Sequence, residues 1–121
     1  DTECLGINSR NQLAEATKIA QRRINARHMA AGATMVDPDQ VWIGPDVKIA
    51  QDVELFPQVF LMGATKIGED CVIGPNARLA DTAVSARCVI ADVMAEGASF
   101  QEGTTITATT GDEGWTKLAC G

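Results

Sequence analysis

Seven aliphatic residues recur at a strict interval of six: Ile43, Ile49, Leu55, Leu61, Ile67, Ile73 and Leu79. Four residues after each stands a small or β-branched partner: Val47, Val53, Val59, Thr65, Cys71, Ala77 and Ala83. A helix repeats its apolar positions every ~3.6 residues and a half-buried strand every ~2, so neither asks for this interval. A coil with three flat sides, one hexad to a side, does, and the spacing is that of a hexapeptide β-helix.

In each hexad the aliphatic residue is expected to point inward, with its partner in a corner that admits only small side chains. Gly44, Gly68 and Gly74 follow aliphatic positions, where the chain is expected to bend into backbone regions that glycine tolerates. Equivalent positions of successive coils would stack about 4.8 Å apart. The hexads run without a slip from Ile43 to Ala83. Val84 then follows Leu79 by five, Ile90 continues at six, and after a second slip Met94, Phe100 and Ile106 resume the spacing. From Ile43 to about Thr110 the count is under four coils.

Upstream the pattern changes. Residues 1–8 contain Gly6 and predict a loop. Ser9 and Gln12 have the spacing of a capping box, opening a helix over residues 9–32 that is rich in Ala, Leu, Gln, Glu, Lys and Arg and stops at Gly32. Its apolar stripe is thin: Leu13, Ala16, Ile19, Ala20, Ile24 and Met29. Arg22, Arg23 and Arg27 cluster on other faces, as a solvated surface. A helix this polar is expected to link two domains or to lie against a neighbouring subunit. Asp37-Pro38-Asp39 is a turn into the repeat, which spans residues 33–110. Residues 111–121, with Trp115, fit no repeat and read as a tail.

Composition agrees. The chain has 121 residues, enough for one ordinary domain or one compact unit with an appendage, and only 4% are aromatic. A narrow prism has no room for large rings. The net charge of −6 argues against nucleic acid or an anionic membrane as main partner. No apolar run approaches the roughly 20 residues that cross a bilayer. There is no secretory signal pattern and no initiating Met, which reads as a piece of a longer or processed protein. Cys4, Cys71, Cys88 and Cys120 show no CxxC pairing, which speaks against a zinc site. Cys71 and Cys88 take inward positions 17 residues apart, so neighbouring coils are expected to stack them as buried small hydrophobes in a reducing compartment.

The segments Gly6-Ile7-Asn8-Ser9-Arg10, Gln12-Leu13-Ala14-Glu15-Ala16, Arg23-Ile24-Asn25, His28-Met29-Ala30-Ala31-Gly32 and Asp37-Pro38 carry a resemblance. It continues through Ile67-Gly68-Glu69-Asp70-Cys71-Val72-Ile73-Gly74-Pro75-Asn76 and covers roughly residues 4–95. The chain resembles the bifunctional bacterial enzymes of UDP-N-acetylglucosamine synthesis. In these an N-acetylglucosamine-1-phosphate uridyltransferase is fused to a glucosamine-1-phosphate N-acetyltransferase. The resemblance implies a mainly β fold: a left-handed parallel β-helix preceded by one long α-helix, although parallel crossovers are otherwise right-handed. It also implies a cytoplasmic homotrimer. Residues 1–8 would end a nucleotidyltransferase domain outside this chain, and residues 9–32 would form the linker helix. A trimer is a physical expectation too, because a short stack of coils is marginal alone.

The same resemblance makes Asn8 a ligand of magnesium and of the sugar nucleotide in the uridyltransferase site, where UTP and a sugar phosphate react. Read by itself, Asn8 is a loop or cap residue beside Ser9. No catalytic residue is assigned in this chain. The family's acetyltransferase uses a His on a late coil, whereas His28 lies on the linker helix. The family's Tyr and Arg-Leu-Arg-Pro segments are missing as well. Acetyl-CoA therefore has no support from the surviving residues. Glu102-Gly103-Thr104-Thr105-Ile106-Thr107 looks like the family's final coil. Three functions compete: the linker and β-helix of a sugar-nucleotide transferase, a purely structural oligomerisation module, and a small acyltransferase using acetyl-CoA.

Overall fold

The computed structural model describes residues 2–107, with side chains from Arg10 onward. Helix α1 (Thr2–Ala30) comes first. It begins at Thr2, so the loop expected over residues 1–8 is replaced, from Thr2 on, by helix, and Ser9 and Gln12 lie inside it rather than at its cap. The helix pattern was legible, but its start was not. Tolerated residues before Ser9 let the helix run on, and one Gly costs only about 1 kcal/mol.

The stop is where the sequence puts it. Gly32 takes φ +114, its N–H bonds the Met29 carbonyl at 3.1 Å, and the Ala33 N–H bonds the His28 carbonyl at 2.9 Å. This paired closure satisfies helix-end carbonyls and needs a residue free to adopt positive φ.

The coil then winds in short strands. Its first turn holds β1 (Thr34–Met35), β2 (Val41–Ile43) and β3 (Lys48–Ile49), with a 3-10 turn at Pro38–Gln40. The second holds β4 (Glu54–Leu55), β5 (Val59–Met62) and β6 (Lys66–Ile67). The third holds β7 (Val72–Ile73), β8 (Ala77–Ala80) and β9 (Ala83–Val84). The fourth holds β10 (Val89–Ile90), β11 (Val93–Glu96) and β12 (Ser99–Phe100), and β13 (Thr105–Ile106) begins another. Every pairing is parallel and joins strands one turn apart, giving face A (β1-β4-β7-β10-β13), face B (β2-β5-β8-β11) and face C (β3-β6-β9-β12). The coil thus has about four turns and starts at β1, ahead of the first hexad.

The interior is a single apolar column. Leu55, Leu61, Ile73, Leu79 and Ile90 are fully buried, as are Val41, Val53 and Val59 in the small-residue corners. Each buried Leu or Ile contributes about 1.5–3 kcal/mol by leaving water.

The slips have a structural meaning. On face C the turn takes 18 residues from Lys48 to Lys66, 17 from Lys66 to Ala83 and 16 from Ala83 to Ser99. The losses fall at corners. Gly63-Ala64-Thr65 is matched one turn later by Asp81-Thr82, and Gly74-Pro75-Asn76 by Ala91-Asp92. Two expected inward residues consequently face out. Ala83 is exposed, and Thr82 is buried in its place, its N–H 3.3 Å from the Thr65 hydroxyl. Met94 is 60% exposed, and Ala95 pairs in register with Leu79. A shortened corner removes one residue before the next strand, so the alternation restarts one position away.

Candidate functional site

The helix meets the prism through amides and one residue, Ile24, of its apolar stripe. Leu13 and Ile19 are 68% and 48% exposed, whereas Gln21 and Asn25 are buried. Only Ile24 of the expected stripe packs on the core. The reason lies in the prism end. The first turn has no strand above β2, so the Val41 carbonyl needs donors. Gln21 Nε2 supplies one at 2.7 Å and Asn25 Nδ2 another at 2.9 Å. The same two amides bond the Asp39 and Pro38 carbonyls at 3.0 and 2.8 Å. Lys18 adds an ion pair to Asp39 at 3.7 Å and sits 5.4 Å from the Trp42 ring. The helix therefore plugs the amino-terminal end of the coil.

Beside this contact, α1 carries an open groove of about 800 Å³ lined by Ala16, Ile19, Ala20, Arg23, Ile24 and Arg27. Arg22, Arg23 and Arg27 are exposed, as the sequence implied.

The outward residues of face B form a ladder. Trp42, Phe60, Arg78 and Met94 are in register from turn to turn, and Met62, Ala80 and Glu96 form a second row. Phe60 is exposed and Trp42 half-buried. Face C presents Lys48, Lys66, Ala83 and Ser99 instead, all exposed. Three apolar side chains therefore project from one outer face of a chain with few aromatics. Hexad spacing reports inward positions and is silent on these outward ones. The signal was there: Trp42, Phe60 and Arg78 recur at the length of one full turn.

The catalytic inventory is thin. Asn8 lies within α1, and its side chain is outside the described ones. Magnesium asks for six oxygen ligands in near-octahedral order, and a single amide oxygen does not make that set. Among the described residues no three His, Cys, Asp or Glu side chains are grouped to hold a metal. His28 is half-buried at the end of α1, where burial and then the Arg27 charge push its pKa below the ordinary 6.5. It lies on the helix and not on a coil, as its position in the sequence indicates.

Cys71 and Cys88 are buried, free and stacked in consecutive turns, as their spacing predicted. Burial pushes the Cys71 thiol up. The Cys4 side chain and the expected tail over residues 111–121, with Trp115 and Cys120, lie outside the described residues or side chains. Among the described residues, no helix is long and apolar enough to cross a membrane.

No protein-family model matches the chain. Curated proteins do, and three illustrate the likeness, each named "Bifunctional protein GlmU". The one from Caldanaerobacter subterraneus subsp. tengcongensis is 48% identical over 86 residues, covering 71% of this chain and 19% of the relative. The Thermoanaerobacter pseudethanolicus relative is 49% identical over 88 residues, 73% of this chain and 19% of its own. The Alkaliphilus metalliredigens relative is 40% identical over 110 residues, 91% of this chain and 22% of its own. The chain thus spans about a fifth of the length of the curated relatives it matches.

Proposed function

We propose that this chain, which belongs to the family of the bifunctional GlmU proteins, serves mainly as a trimerisation scaffold in a sugar-1-phosphate nucleotidyltransferase and acetyltransferase. On this reading it is the linker helix and opening β-helix of that enzyme, acting in the cytoplasm in UDP-N-acetylglucosamine synthesis. The observation that carries the scaffold role is the outer ladder of face B, where Trp42, Phe60 and Met94 project from a coil of about four turns. A short solenoid exposes much of its surface, and each turn is stabilised only by its neighbours. Covering an apolar face with another copy removes that surface from water.

The chemistry of the parent lies elsewhere on this reading. UTP, the sugar phosphate and magnesium meet in a nucleotidyltransferase domain to which Asn8 belongs. The acetyl transfer from acetyl-CoA requires a base near the amine, and His28 lies in the last turn of the helix instead. The isolated chain is expected to sediment at three times its 12.8 kDa mass. It is also expected to give no acetyl transfer to glucosamine-1-phosphate and no UDP-sugar. A monomeric mass at micromolar concentration refutes the scaffold role, and turnover above a no-protein control refutes the division of labour.

A further inference from the structure

Two thiols in the core have no part in the proposed scaffold. Cys71 and Cys88 stand one residue before β7 and β10, which pair Val72 with Val89 and Ile73 with Ile90. The two cysteines are therefore equivalent positions of the third and fourth turns. The Cys88 N–H reaches the Cys71 sulfur at 3.4 Å. Both thiols donate to the turn beyond them, Cys71 to the Ser85 carbonyl at 3.0 Å and Cys88 to the Gln101 carbonyl at 3.1 Å. Neither side chain has measurable exposure. Paired strands of one sheet lie about 4.8 Å apart, inside the roughly 4.4–6.8 Å that a disulfide spans between Cα atoms.

We propose that Cys71 and Cys88 form a redox-sensitive staple that a hydroperoxide closes between the third and fourth turns. One sulfur, as thiolate, attacks the peroxide O–O bond and becomes a sulfenic acid, and the expelled hydroxide leaves as water after taking a proton. The second sulfur attacks the sulfenic sulfur, forming the S–S bond and releasing a second water. Two thiols and one hydrogen peroxide thus give one disulfide and two waters, with two electrons passing to the oxidant. Burial makes the step conditional. It needs local opening of the coil around the two thiols, which is what admits peroxide. Once closed, the bond constrains the 18-residue segment from Cys71 to Cys88 and fastens the late turns to the middle of the prism.

The four cysteines fall in four different tryptic peptides, so a map identifies the pairing. The test treats the reduced full chain with hydrogen peroxide, quenches free thiols and digests without reductant. The expected product is a cross-link between the peptides Ile67–Arg78 and Cys88–Lys117. It is accompanied by an intact-mass loss of about 2 Da, the two hydrogens carried off by peroxide. The melting midpoint rises by roughly 5 °C or more, and dithiothreitol reverses both changes. Cys88→Ser gives neither the cross-link nor the rise. Cross-links confined to Cys4, Cys120 or separate chains overturn the proposal. So does peroxide that only adds oxygen to Cys71 or Cys88, or that leaves both unreacted. A cross-link without the rise in melting midpoint overturns the staple.

Discussion

At the scale of single residues, identical places in the hexad carry different constraints. Gly44 and Gly68 each follow an inward Ile, and the sequence suggested a backbone reason for both. The structure gives a spatial reason for one alone. A Cβ on Gly68 would stand 2.6 Å from the Ala86 nitrogen and 2.8 Å from the Ser85 carbonyl carbon, both main-chain atoms. A Cβ on Gly44 would meet nothing nearer than 3.6 Å. Gly68→Ala is accordingly expected to lower unfolding free energy by about 1–3 kcal/mol, as an overpacked core does. Gly44→Ala is expected to shift it by less than about 1 kcal/mol. Urea titration of both variants checks this, and equal losses would remove the close-approach explanation. The inward column was legible because aliphatic spacing reports it directly. The crowding at Gly68 was not, since it depends on which residue sits one turn later.

At the scale of elements, α1 shows where periodicity runs out. Apolar spacing nominated Leu13, Ile19 and Met29 as its packing face, and all three are exposed. The prism end offers carbonyls rather than methyl groups, so Gln21 and Asn25 make the contact. Hydrophobic patterning cannot reveal an interface built from amides, and Asn25 read as part of a family motif without a stated task. The two amides share one acceptor, the Val41 carbonyl. Gln21→Ala alone leaves Asn25 donating to it, and Asn25→Ala alone leaves Gln21. Each single change is expected to cost about 1 kcal/mol, while the double change orphans the buried carbonyl and costs more than the sum by about 1–3 kcal/mol. A double-mutant cycle read by thermal unfolding measures that excess. Simple additivity would mean that the plug is not held by the shared acceptor.

At the scale of the whole molecule, the shortening turns bear on what the coil presents outward. The register stayed legible as far as Leu79, because the hexads there are unbroken. Beyond it, two lost corner residues turned Ala83 and Met94 outward, and a fixed period misassigned both. That outward turn completes the ladder on face B, adding Met94 to Trp42 and Phe60. The ladder is thus a property of the wound coil, and no single hexad contains it. If the ladder is what another copy covers, Phe60→Asp with Met94→Asp should separate the copies while sparing the prism. Neither side chain belongs to the inner column, and a buried carboxylate at an interface is costly. The double variant is expected to sediment as a monomer with its far-ultraviolet dichroism unchanged. Its melting midpoint should no longer depend on protein concentration, whereas that of the unaltered chain should rise with it. A double variant that keeps the trimer mass would free face B of this role, and assembly would have to be sought on faces A and C.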